Sequence, residues 1–134
     1  MTQKILIIDD EPDIRFLLKR SLVSHHFTVE EAENLKEGLQ KAADSVPDII
    51  ILDVNLPDGN GIQFACRFKT ENNILILISA DNDQLTKEFE NYCASGFLRK
   101  PFTPSDLISL ITQIQEKRKL MSNISLNIKT TSNG

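Results

Sequence analysis

Four short aliphatic runs punctuate the chain: Ile5-Leu6-Ile7-Ile8, Ile49-Ile50-Ile51-Leu52, Ile74-Leu75-Ile76-Leu77-Ile78 and the weaker Phe97-Leu98. Uninterrupted runs of this length, rich in β-branched residues, suit strands buried on both faces, as in a parallel sheet covered by helices. A further segment, Phe27-Thr28-Val29-Glu30-Glu31, alternates and fits a half-buried edge strand. Between the runs the hydrophobic period turns helical. Ile14, Leu17, Leu18 and Leu22 recur at helical spacing behind Pro12, and Asn34 with Glu37 forms a capping-box pattern that opens a helix from Leu35 to Ala43. Ile62, Ala65, Cys66 and Phe68 mark a third helix, and Leu85, Phe89, Tyr92 and Cys93 a fourth. The fifth begins at Thr103 as N-cap, with Pro104 at its first position and Asp106 at its third, followed by Leu107, Leu110, Ile111 and Ile114. This alternation of strand and helix predicts an α/β fold built as an open, doubly wound parallel sheet.

Beyond about Lys119 the pattern changes. The stretch from Leu120 to Gly134 is polar and leaves the helical period, although Ile124, Leu126 and Ile128 alternate. Residues 1–119 therefore read as one domain, and residues 120–134 as a disordered tail or linker stub rather than a further strand. The formal net charge of -4 and pI of about 5.1 argue against a nucleic-acid or anionic-membrane surface, whose footprint is clustered Lys and Arg. No apolar run is long enough to span a bilayer, and Lys4 with four aliphatics before acidic residues is no signal peptide. Cys66 and Cys93 lack metal-ligand spacing and lie in amphipathic segments, so the expectation is two buried free thiols, as suits a reducing cytoplasm.

In an open parallel sheet, ligands bind at the carboxyl ends of the strands. The residues that follow the aliphatic runs are Asp9 and Asp10, Asp53, Ser79, and Lys100. Three carboxylates brought together raise one another's pKa or demand a cation, and oxygen-only donors select a hard ion such as Mg²⁺. Without His or Cys beside them, zinc is disfavoured. An ammonium from Lys100 and a hydroxyl from Ser79 on the same rim complete a phosphoryl-binding set, in which the acceptor is a carboxylate.

Ile7-Ile8-Asp9-Asp10-Glu11-Pro12, the run from Pro47 to Asp53, Leu56-Pro57-Asp58-Gly59-Asn60-Gly61, Ile78-Ser79-Ala80 and Lys100-Pro101-Phe102 stand in an order and spacing that resembles the receiver domain of bacterial and archaeal two-component response regulators. The resemblance covers residues 3 to about 119. It implies a flavodoxin-like (βα)5 three-layer sandwich with strand order 2-1-3-4-5, working as a phosphoacceptor switch in a phosphorelay. Asp53 would accept the phosphoryl group. Asp10, Asp53 and the backbone carbonyl of Asn55 would hold Mg²⁺ directly, with Asp9 acting through water. Lys100 would pair with Asp53 and later with the phosphoryl group, and Lys100-Pro101 would be a cis peptide, which proline tolerates. Ser79 would be the switch hydroxyl and Phe97 its aromatic partner, so that phosphorylation, adding roughly -1.5 to -2 charges, remodels the surface of the fourth helix, fifth strand and fifth helix.

The implied partners are a sensor histidine kinase or phosphotransfer protein, and an effector or second copy at that remodelled surface, in the cytoplasm. The only reactions implied are the domain's own aspartyl phosphorylation and dephosphorylation, so it is not an enzyme acting on other substrates. Two departures bear on the switch: Phe97 lacks the hydroxyl of the frequent tyrosine, and Asn55 and Asp81 lie where side chains tune dephosphorylation. Other readings of the same residues are an aspartate-nucleophile phosphatase, which wants a second Asp where Asn55 stands, and a receiver that only binds protein. Asp9 and Asp10 could also simply cap the first helix. Gly59-Asn60-Gly61 reads as a turn rather than a dinucleotide fingerprint, and His25-His26 as a loop pair rather than a metal site.

Overall fold

The computed structural model describes residues 2–80 and 93–132, with residues 127–132 as helical backbone. The expected fourth helix, marked by Leu85, Phe89 and Tyr92, lies outside the described residues, as does Asp81. Strands β1 (Lys4–Ile8), β2 (Thr28–Ala32), β3 (Ile49–Asp53), β4 (Ile74–Ser79) and β5 (Gly96–Arg99) form one parallel sheet in the order β2-β1-β3-β4-β5. This is the doubly wound sandwich expected from the alternating pattern. The edge strand begins one residue later than its alternation suggested, because the Phe27 N–H donates back to the Leu22 carbonyl while Thr28 opens the ladder through Gln3.

The described helices are α1 (Pro12–Ser24), α2 (Leu35–Ser45), α3 (Gly61–Phe68) and α4 (Pro104–Ser132). Strand side chains alternate between faces, so the central runs feed two cores at once. Ile5, Ile7, Ile49, Ile51, Ile74, Ile76 and Ile78 meet Leu18 and Leu22 of α1 and Leu107 and Ile111 of α4. Leu6, Ile8, Ile50, Leu52, Leu75 and Leu77 meet Leu35 of α2 and Ala65 and Phe68 of α3 on the other face. Burying each such side chain contributes about 1.5–3 kcal/mol before entropy is subtracted. Helix α2 lies close enough to β1 that a Cβ on Gly38 would sit 2.6 Å from Ile8 Cδ1, so glycine there permits the contact.

Helix ends follow their side chains. Asn34 Oδ1 accepts from Glu37 N at 2.8 Å, while the Glu37 carboxylate accepts from the Glu33 N–H rather than closing the box on Asn34. At α4 the box is reciprocal: Thr103 N donates to Asp106 Oδ2 at 2.9 Å, and Asp106 N donates to Thr103 Oγ1 at 3.1 Å. His25 and His26 close α1, His25 as its C-cap and His26 at φ 71°.

Two expectations are corrected. The chain after Lys119 is not an irregular tail, since α4 continues to Ser132. Between Pro104 and Gly134 no proline or glycine interrupts it. Leu120, Met121 and Ile124 stand on it at helical spacing, exposed to solvent. The cysteines are likewise not buried free thiols: Cys66 is exposed, Cys93 is half-buried, and the two are joined by a disulfide with a Cα–Cα distance of 5.2 Å. On α3 the buried stripe is Gly61, Ala65 and Phe68, which turns Cys66 away from the core and toward the chain leading into β5.

Because Ile51 is fully buried at the centre of β3, Ile51→Ala should lower unfolding stability by about 2–5 kcal/mol in a denaturant titration. A loss below about 1 kcal/mol would contradict the two-sided packing.

Candidate functional site

Strand order reverses between β1 and β3: the chain leaves β1 for β2 on one side and returns to β3 on the other. The crevice at their carboxyl ends is where an open sheet offers a site. Asp9 follows β1 and Asp53 ends β3, and both carboxylates are buried. Backbone amides set them in place, with Glu11 N donating to Asp9 Oδ1 at 2.9 Å and Asn55 N to Asp53 Oδ1 at 3.1 Å. Arg15 of α1 donates to the Asp9 carbonyl at 2.7 Å and fixes the loop from behind.

Lys100 enters from the end of β5. Its backbone N–H donates to the Ser79 carbonyl at 2.8 Å, and the Lys100-Pro101 peptide is cis. Its Nζ donates to Asp53 Oδ2 at 2.9 Å and to Glu11 Oε1 at 3.2 Å, and lies 3.1 Å from Asp9 Oδ2. The last contact is an ion pair without a hydrogen bond, so Asp9 Oδ2 is a buried oxygen with a charge beside it and no donor. Burial alone would weaken the charge on Lys100, but Asp53 and Asp9 outweigh it and raise its pKa above the ordinary lysine value. Desolvation acts in the same sense as the neighbouring Asp53 on Asp9, and despite the Glu11 amide and Lys100 its pKa is raised from 3.8 to about 6.

Oxygen atoms of Asp9, Asp10, Glu11 and Asp53 all lie within 4.8 Å of one another. Three of the four pair with the Lys100 ammonium, and one buried oxygen, Asp9 Oδ2, has no hydrogen-bond donor among the described residues. That donor set, all oxygen with an orphaned atom, fits a hard divalent cation such as Mg²⁺.

The residues singled out at the strand ends are thus brought to one crevice: Asp9, Asp10, Asp53 and Lys100 in contact or near contact, with fully buried Ser79 at the end of β4. Phe97 is registered beside Leu77, two residues before Ser79 on the same face, and packs half-buried against the core there. Two contributors escaped the sequence reading. Glu11, assigned only to a motif, joins the acidic cluster because α1 starts one residue later and leaves its side chain on the rim. Asp58 accepts from Leu35 N at 2.8 Å and Lys36 N at 3.0 Å, tying the loop after Asp53 to the start of α2. Its slight desolvation is overcome by these amides, which hold its pKa below the usual range. No local signal announces that bond, since its partners stand more than twenty residues earlier.

The family model described as response regulator receiver domain matches residues 5–112. Among curated proteins, the chain is 38% identical over 105 residues to the KDP operon transcriptional regulatory protein KdpE of Escherichia coli (strain K12), covering 77% of this chain and 47% of that protein. It is 33% identical over 110 residues to the transcriptional regulatory protein SrrA of Staphylococcus aureus (strain NCTC 8325 / PS 47), covering 81% and 46%. The chain therefore matches about half the length of these relatives. Among solved structures, the chemotaxis response regulator CheY4 of Vibrio cholerae superposes with a TM-score of 0.77 at 27% identity, over 85% of this chain and 99% of that one. A CheY-like receiver domain protein from Methanospirillum hungatei JF-1 gives 0.81 at 26% identity, over 89% and 98%.

Ionising Asp9 in the fold costs free energy, because its folded pKa lies above its unfolded one. The folded state holds the proton more tightly, so stability falls as pH rises from about 4 through about 6. In metal-free buffer at pH 7, Asp9→Asn should therefore stabilise the protein by about 1–3 kcal/mol, with the gain shrinking toward pH 4. Equal melting temperatures of the two proteins at pH 7 would contradict this.

Proposed function

From the premise that the chain belongs to the response regulator receiver-domain family, we propose that it is the phosphoacceptor switch of a two-component phosphorelay, with Asp53 as the residue phosphorylated. Receiver domains catalyse only their own phosphorylation and dephosphorylation, and the acidic cluster matches the site where they do so. The observation that carries the assignment is the Lys100 ammonium 2.9 Å from a buried Asp53 carboxylate amid three further acids.

In this reading an Asp53 oxygen attacks the phosphorus of a phosphohistidine donor. A P–O bond forms, the P–N bond breaks, and the leaving imidazole takes up a proton. Asp53 is held for this by the Asn55 amide on one oxygen and Lys100 on the other. Lys100, its pKa raised, stays protonated and serves as a fixed positive charge on the transferring oxygens, not as a base. Asp10, Asp53 and the Asn55 carbonyl would hold Mg²⁺, with Asp9 acting through water and Glu11 on the rim. When bound, the ion supplies further positive charge against the phosphoryl oxygens. Ser79 and Phe97 then relay the added charge to the surface around β5 and the helices beside it.

The donor is a sensor histidine kinase or phosphotransfer protein. A cleft lined by Ile14, Leu17, Pro101 and Phe102 opens beside Lys100, with Leu17 and Phe16 of α1 exposed, and gives such a protein an apolar footing next to Asp53. An effector or a second copy would read the surface around β5. Among the described residues, no helix is long and apolar enough to cross a membrane. We place the protein in the cytoplasm, with residues 1–119 as the receiver and 120–134 as a connector.

Incubation with acetyl phosphate and Mg²⁺ should add one phosphate by intact mass, and none to Asp53→Ala. Lys100→Ala should slow the addition by about 10²-fold. Phosphate uptake by Asp53→Ala equal to the wild type would overturn the assignment.

A further inference from the structure

We propose that Cys66 and Cys93 form a reversible dithiol–disulfide site whose closure restrains the phosphorylation switch; the control rests on the phosphoacceptor reading above. The bridge joins α3 to the residue that leads into β5, and it spans 27 residues of sequence. Inside that span lie β4 and Ser79, and Phe97 follows four residues after its end. Closure thus anchors, at Cys93, the turn that leads directly into Phe97.

Both cysteines suit chemistry rather than packing. On α3 the core is filled by Ala65 and Phe68, and Cys66 between them is exposed, so opening the bridge leaves the core closed. Cys93 is half-buried and held at φ 66°, in the left-handed region that costs a residue with a Cβ. Just beyond it the chain is fastened to β4, with Ser95 N donating to the Leu75 carbonyl at 2.7 Å and Leu75 N to Ser95 Oγ at 3.0 Å. The bridge therefore holds a strained turn between two anchors, one covalent and one hydrogen-bonded. Releasing the covalent anchor lets that turn relax, and Ala94 and Phe97, which pack on the core beside it, are the residues the relaxation reaches.

The oxidant is a low-molecular-weight disulfide. The Cys66 thiolate attacks one of its sulfurs, forming a mixed disulfide and releasing one thiolate, which takes a proton. The Cys93 thiolate then attacks Cys66 Sγ, closing the bridge and releasing the second thiolate, which also takes a proton. Two electrons pass from the protein thiols to the small disulfide. An excess of the small thiol runs the same steps backward. With Cys93 tethered, the turn from Cys93 to Phe97 rearranges less readily, so the oxidised protein accepts phosphate less well than the reduced one.

The test equilibrates the full chain with reduced and oxidised glutathione, quenches with an alkylating agent, and counts alkyl groups by mass. Each form is then treated with acetyl phosphate and Mg²⁺. The expected result is reversible interconversion of one bridged and one doubly alkylated species. Steady-state phosphorylation should be roughly fivefold or more lower in the bridged form, a difference absent in Cys66→Ser and in Cys93→Ser. The comparison of the two wild-type forms stands even if a variant fails to fold. Two free thiols in excess oxidised glutathione, or a bridge that excess reduced glutathione leaves closed, would overturn the redox site. Equal phosphorylation of both forms would overturn the control alone. Absence of phosphate from both forms would overturn the phosphoacceptor reading and the control with it, while the alkylation count still reports on the thiols.

Discussion

Four carboxylates gather at the point where the sheet reverses its winding, three of them paired with one lysine ammonium, and the rest of the site answers to that imbalance. Burial, with Asp53 beside it, raises the Asp9 pKa to about 6 against the pull of the Glu11 amide and Lys100. The same excess of oxygen makes the crevice a receptor for positive charge and, through Asp53, for a phosphoryl group that arrives with its own charge to balance. Stability and the proposed function pull in opposite directions here: the crowding of acids that suits a cation is the same crowding that favours a protonated Asp9.

The fold keeps this crowd in place with ordinary means. Two apolar layers clamp β1 and β3, so the strands that lead into Asp9 and Asp53 are buried on both faces. Helix α3 begins against β3 so closely that a Cβ on Gly61 would overlap the Asp53 carbonyl oxygen and lie 3.1 Å from Val54 Cα. Asp58 ties the same loop to α2, and Asn60 Oδ1 caps α3 through Ile62 N at 2.8 Å. Rigid strand ends thereby present the charged groups, while Ser79 and Phe97, the proposed switch pair, sit on strands nearer the edge, where β5 has only one neighbour.

Much of this was legible in the chain because buried parallel strands announce themselves as aliphatic runs and end where the chemistry begins. Asp53 and Lys100 stand forty-seven residues apart, yet each follows such a run, so topology alone brings them together. What escaped reading depends on three-dimensional direction. Cys66 has the spacing of a core residue on α3, but the actual stripe passes one position to its side. The stretch after Lys119 alternates and is polar, yet no proline or glycine breaks it before Gly134, and helix propensity carries α4 onward to Ser132. The bond from Asp58 to α2 and the place of Glu11 on the rim are set by loop geometry that no periodicity encodes.

The proposed function requires a cation at the acidic cluster, where Lys100 alone does not suffice. Calorimetric titration of the chain with Mg²⁺ at neutral pH tests it most directly. One ion should bind per chain, with Asp10→Asn weakening the affinity by tenfold or more, which is about 1.4 kcal/mol. An Asp10→Asn protein that binds Mg²⁺ as tightly as the wild type, or a wild type that binds none, would contradict it.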